Sequence, residues 1–309
     1  MIFTSTGLGR YENIRAVLQQ VQWRSRGRTL LKPNLVAGGS AATHPEALRA
    51  VLDSLDVDII AEGSAVDTRE LYSSLGYKKL AKDYGVELID LNESREWEEI
   101  EFLDIEKKPK KVRVSNYARW DVVSLTLPKT HDHAVVTLTL KNVLGFVHPE
   151  DRPLVHGYAA AFGKVMRIKP LRKIASSFSR FKILRRLYSS TEVKEEKYIK
   201  GAKVIHKNIA ALVKYVKPKL GIIDGYAGME GNGPIAGEIF EWNVALAGEP
   251  LECDVYCAYL MSFDPKEIGY LHYLNAPPLE EIKIIGSAIE RRKFEPHPKI
   301  NLQMMWRNK

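Results

Sequence analysis

A chain of 309 residues with 45% apolar and 27% charged residues is composed like an ordinary globular protein able to bury one large core or two modest ones. No window approaches the roughly 20 apolar residues of a membrane span, and "MIFTSTGLGRYENIRAVLQQ" lacks a basic start followed by an apolar core, so an unprocessed cytoplasmic chain is expected. The net charge of +8 does not mark a chain-wide polyanion surface. Nine Lys or Arg and no acid lie between Lys164 and Tyr188, and the remaining 37 basic residues balance 38 acidic ones.

In chain order, strand and helix alternate, as expected for an α/β fold with a mostly parallel sheet and flanking helices. "RTLLKPN" reads as a strand stopped by Pro33. A helix follows over Pro45 to Leu55, with Thr43 and Glu46 as a capping box. "VDIIAEGS" is the next strand, and Asp67 with Glu70 repeats the capping pattern before a helix through Asp83. "GVELIDLN" is a third strand. The stretch "ESREWEEIEFLDIEKKPKKVRVSNYARW" predicts peripheral strands, and "DVVSLTLPK" a buried strand ending at Pro128.

The basic surplus comes next. Val165, Ile168, Leu171, Ile174, Phe178, Phe181, Leu184 and Leu187 recur at three- and four-residue steps within it, broken at Pro170. This predicts a basic amphipathic helical insertion or lid at about residues 159–200 of a single domain. Its readings are a solvated excursion packed by its apolar stripe, a lid over an anionic substrate, a membrane-surface helix or a nucleic-acid contact. A helix over Ala202 to Val216, a strand "LGIIDG", a glycine-rich loop, a strand "WNVALAG", a helix over Leu251 to Ser262 and a strand in "EIKIIGS" complete the pattern. Cys253 and Cys257, four apart, read as two buried hydrophobes on one helix face. Two thiols cannot supply the four ligands an iron–sulfur cluster usually takes, so no such cluster is expected on this chain alone.

Ligands of open parallel sheets sit at the carboxyl ends of the strands. The residues delivered there are Lys32 and Asn34, then Glu62 and Ser64, then Lys129, His131 and His133, then Asp224. Taken singly, each has a plain structural reading: a solvated lysine, a hydrogen-bonded histidine, an aspartate before a tight turn. Together they describe a cationic, partly desolvated pocket for a small anionic ligand, with Lys129, His131, Lys141 and Asp224 as catalytic candidates. An imidazole or a buried amine there can move a proton near neutral pH, and the amine can form a Schiff base. Lys32, Asn34, Ser64 and Asn142 are substrate-binding candidates, joined by Gly231, Asn232 and Gly233 of "DGYAGMEGNGP", whose amides are expected to form an anion nest or else a plain turn series. His131, His133 and His156 are candidate ligands of a divalent nickel, zinc or iron ion.

"LLKPNLV", "THPEALRAVLDSL", "LPKTHDHAVVTLTLKNVLG", "IIDGYAGMEGNGP" and "ECDVYCAYLMSFDP" together resemble the domain-of-unknown-function family 362, in order from Leu30 to Ile268. Members of that family are sometimes fused to ferredoxin-like modules, which implies an iron–sulfur or redox partner. A second, fainter similarity is to the catalytic domain of nickel-pincer lactate racemases, where a histidine precedes a cofactor-bearing lysine by about ten positions and a further histidine follows. His131, Lys141 and His156 repeat that order, with "LTL" standing where the racemases have three glycines. That resemblance implies a metal-containing cofactor and a racemase, isomerase or oxidoreductase. The other class of function is a scaffold that docks through residues 164–188 on an acidic partner, nucleic acid or membrane.

Overall fold

The protein is described from a computed structural model, over residues 1–36, 38–158 and 195–307. The expected basic helix of residues 164–188 lies outside the described residues. The strands are β1 (Ile2–Thr6), β2 (Thr29–Lys32), β3 (Ile59–Glu62), β4 (Glu87–Asp90), β5 (Trp97–Leu103), β6 (Pro109–Ser115), β7 (Asp121–Thr126), β8 (Lys129–His131), β9 (Val135–Thr137), β10 (Leu220–Glu230), β11 (Glu238–Gly248) and β12 (Ile284–Gly286). The main sheet runs β12, β1, β11, β10, β7, β2, β3, β4. From β10 to β4 every pairing is parallel. β11 lies antiparallel between β10 and β1, and β12 runs parallel to β1. β5 and β6 form a separate two-stranded sheet, as the alternating "KKVRVSNY" predicts.

The central strands are apolar without interruption because both faces are covered. Leu30, Val122 and Ile223 enter one core, while Leu31, Val123 and Ile222 enter the other. The first face is covered by α5 (Thr139–Asn142), α6 (Glu195–Val216) and α7 (Pro250–Leu260). The second is covered by α1 (Arg10–Gln20), α2 (Pro45–Leu52), α3 (Thr68–Ser74) and α4 (Tyr77–Tyr84). Among the described residues no helix is long and apolar enough to cross a membrane. Cys253 and Cys257 are buried, free thiols in α7.

Several local expectations are corrected. The cap of α2 is His44, whose Nδ1 accepts from the Glu46 amide at 3.2 Å. Thr43 is drawn inside instead, where its hydroxyl accepts from the Asn34 amide at 2.9 Å. Asp67 does cap α3, accepting from the Glu70 amide at 3.0 Å, but the expected helix through Asp83 breaks at Gly76, whose φ of 78° ends one helix before α4 begins. The glycine-rich stretch is largely strand: β10 continues to Glu230, with a bulge between Gly225 and Ala227. Gly228 is required there because a Cβ would stand 2.6 Å from Phe240 and 2.8 Å from Phe294. The strand β1 and the helix α1 carry no signal strong enough to predict them.

Lys141 is placed by α5, a single turn whose start is fixed from outside. Asp254 of α7 accepts from the Thr139 amide at 2.8 Å, the Thr139 hydroxyl at 2.6 Å and the Leu140 amide at 3.1 Å. Burial pushes the Asp254 carboxyl up to about 7 against these donors. Asp254→Ala strands two buried amides, so a loss of about 3 kcal/mol is expected, read as a fall in the urea midpoint.

Candidate functional site

The carboxyl ends of β2, β3 and β7 meet in a buried polar network. Lys32 ends β2, and Pro33, which has no amide hydrogen, stops the ladder. The Lys32 ammonium pairs with Glu62 at the end of β3 and donates to the Pro33 carbonyl at 3.1 Å. Burial lowers the Lys32 pKa and raises that of Glu62, each opposed by its partner. Gly145 closes over this pair, since a Cβ there would stand 2.8 Å from the Lys32 ammonium. Asn142 accepts from Asn34 Nδ2 at 2.9 Å and donates to the Lys32 carbonyl at 2.9 Å. Asn34 in turn accepts from the Lys129 ammonium at 2.6 Å, which also donates to the Ala41 carbonyl at 2.8 Å. Lys129 is fully buried. Burial first, and then the Lys141 charge, brings it down to about 7.

Lys141 differs from the other two buried lysines. It is 8% exposed, and among the described residues no hydrogen bond or ion pair reaches its ammonium. Burial lowers its pKa to about 8, with Asp132 pulling the other way. Its charge acts on Lys129, His131, His156 and His206, lowering each. His131, His133 and His156 were all expected here, and the structure brings the three rings together. The rings of His131 and His156 stack at 6.2 Å, and His133 meets His156 edge-on at 4.9 Å.

The turn that presents them is strained. β8 pairs antiparallel with β9, and Val135 adopts φ 68°, a conformation that costs a β-branched residue on the order of 1–3 kcal/mol. Inside the turn, His131 Nδ1 accepts from the amides of His133 and Ala134 at 3.0 and 3.1 Å. Among the described residues Nε2 has no hydrogen-bond partner. Asp132 Oδ1 stands 3.1 Å from His131 Nδ1 and 3.2 Å from His133 Nδ1, and the latter contact lacks hydrogen-bond geometry. Burial would raise Asp132, but the neighbouring histidines outweigh it and hold the carboxyl well below its usual range.

The three histidines expected as metal ligands lie together without converging on one point. The imidazoles stack or meet edge-on, one nitrogen is spent on backbone amides, and among the described residues no three His, Cys, Asp or Glu side chains are placed to hold a metal ion.

Other expected residues are dispersed. Ser64 gives its carbonyl to Arg152 at 2.8 Å and its amide to Thr68 at 3.2 Å. Asp224 lies on the second sheet face, 3.1 Å from Arg10 Nε. Burial raises it to about 6, with Arg10 opposing. Gly231 and Gly233 form no anion nest. The Gly231 amide donates to the Glu295 carbonyl at 2.7 Å and the Gly233 amide to the Gly231 carbonyl at 2.9 Å, while Asn232 is exposed.

Sequence reasoning misses Arg10, Arg152, Tyr198 and His206. Tyr198 donates to the Asp132 carbonyl, and its ring lies tilted 4.4 Å from that of His133. His206 accepts from the Tyr270 amide at 3.1 Å and keeps Nε2 buried without a partner. A histidine between Ile205 and Ile209 on a buried helix face was the available signal for it. Arg10 and Arg152 carried none.

Glu62→Gln leaves the Lys32 charge buried without its counterion. A loss of about 3–5 kcal/mol is expected in urea unfolding, and the double replacement Lys32→Met with Glu62→Met is expected to recover most of it.

No curated protein matches the sequence. Among solved structures, the lactate racemase apoprotein from Thermoanaerobacterium thermosaccharolyticum aligns with a TM-score of 0.48 and 13% identity, over 85% of this chain and 57% of that chain. The chain thus spans a little over half of the racemase's length. The model of the domain of unknown function (DUF362) matches residues 29–259, three-quarters of the sequence and every strand of the lysine-bearing edge, and the chain belongs to that family.

Proposed function

We propose that this protein is an enzyme acting on a small anionic molecule, with the Lys141 amine as the proton-transferring group. The observation that carries this reading is the contrast among three buried lysines. Lys32 and Lys129 are spent on Glu62, Asn34 and backbone carbonyls, whereas Lys141 is buried and has no partner among the described residues. A buried amine left without an acceptor is costly, and a site that tolerates the cost gains a base titrating at about 8, near the range in which general bases work. An anion entering beside Lys141 meets the cationic amine, whose charge also acts on Lys129.

The neighbouring imidazoles suit the same role. Burial lowers His131 and brings His156 down to about 3, so both are neutral near pH 7 and donate or accept without competing charge. Asp132 supplies the one nearby carboxylate acting on Lys141. The reaction class that this set supports is proton transfer at a carbon next to a carboxylate or carbonyl, as in a racemase or isomerase.

Because the Lys141 pKa is lowered from 10.5 to about 8, the folded protein binds fewer protons than the unfolded chain between those values. Stability then rises with pH across that window, and below about pH 8 the full burial penalty is present. Lys141→Met is therefore expected to stabilise the protein at pH 7 by on the order of 3 kcal/mol. The advantage should shrink towards pH 10.5, as followed by Tm against pH. The functional test is ligand-induced thermal shift with a panel of small carboxylates and phosphate. A shift present in the wild type and lost in Lys141→Met is the expected result. Undiminished shifts in the variant, or a Lys141 that reacts with acetic anhydride with an ordinary lysine pH profile, refute the proposal.

A further inference from the structure

On the other face of the sheet from Lys141, a cleft of about 200 Å³ opens over the strand ends. Arg10, the first residue of α1, and Asp224 of β10 line it together with Leu75, Leu127, Ala227 and Ile239. The Arg10 guanidinium is fixed on two sides. Its Nε donates to both Asp224 oxygens at 3.1 and 3.2 Å, and its plane lies 4.5 Å from the Tyr226 ring centre. Only Nε is used. The two terminal amino groups, four of the five donors of an arginine, meet no acceptor among the described residues. An arginine held this way is preorganised for a planar carboxylate, because its orientation is already set before a ligand arrives.

The walls decide what else the ligand carries. Leu127 is buried, Ala227 is half-buried, and Ile239 is one of the few large apolar side chains left exposed, at 39%. A cavity of about 150 Å³ accepts a benzene ring, so this cleft has room for a ring or branched chain with a carboxylate head. Gly39, Ser40 and Ala42 of the loop whose Ala41 carbonyl takes the Lys129 ammonium also line it.

We propose that the Arg10 cleft binds a small organic carboxylate with an apolar body, its head on the Arg10 amino groups and its body against Leu127, Ala227 and Ile239. The site uses none of the side chains assigned to proton transfer, so it stands independently of the Lys141 reading.

The test is calorimetric titration of the full chain with phenylacetate. Single-site, saturable binding is expected in the wild type and in Lys141→Met. Arg10→Gln should weaken it by at least about tenfold, the scale of a charge-assisted hydrogen bond. Arg10→Lys retains the charge opposite Asp224 but loses the fork, and should weaken it several-fold. Ala227→Leu fills the cleft without touching the ion pair and should abolish binding. Inorganic phosphate, which has charge without an apolar body, should bind at least about tenfold more weakly than phenylacetate. The proposal is overturned if phenylacetate does not saturate, if Arg10→Lys and Ala227→Leu bind it like the wild type, if Lys141→Met alone abolishes binding, or if phosphate binds as tightly.

Discussion

Three ammonium groups taken out of water at one edge of a sheet set the terms for everything around them. Each loses its hydration on burial, and the edge holds one carboxylate in direct contact, Glu62 on Lys32. The fold meets the remaining demand with neutral acceptors. Asn34, Asn142 and the carbonyls of Pro33 and Ala41 surround Lys32 and Lys129. Those acceptors can be there because the strands end where they do: proline stops β2, and α5 is started by a carboxylate reaching in from α7.

The two faces of the sheet divide the labour. The face that carries α5, α6 and α7 holds the Lys141 amine and the imidazoles, with His131 fixed by the amides of His133 and Ala134 in the turn that leads to the strained Val135. The opposite face presents an arginine anchored through one nitrogen. The loop that gives its Ala41 carbonyl to Lys129 also gives Ser40 and Ala42 to the Arg10 cleft, so the network and the cleft are joined through that loop.

Much of this was legible in the sequence. Both-sided apolar strands, the Asp67 cap and the lysines that follow the strands come from local patterns, and each local pattern agrees with the parallel sheet. Lys32, Asn34, Lys129 and Asn142 converge because strand ends are topologically obliged to share an edge. What was not legible depends on distance in the chain. Arg10 reaches Asp224 across 214 residues, and nothing in "GLGRYEN" marks it. Thr43 looked like a cap because local rules do not foresee that Asn34 claims its hydroxyl. The glycine run looked like a loop because glycine is usually punctuation, whereas here it gives room for Phe240 and Phe294 against a strand.

The asparagine bridge has one further property. An amide accepts with its oxygen and donates with its nitrogen, and it neither gains nor loses a proton across the ordinary pH range. Lys129 and the Lys32–Glu62 pair are therefore joined by continuous hydrogen bonds through Asn34 and Asn142 while remaining insulated from one another for protons. Polarisation passes along the chain, but charge does not. The two ends still feel one another through space, since Glu62 raises and Lys32 lowers the Lys129 pKa, but no proton travels between them along the asparagines.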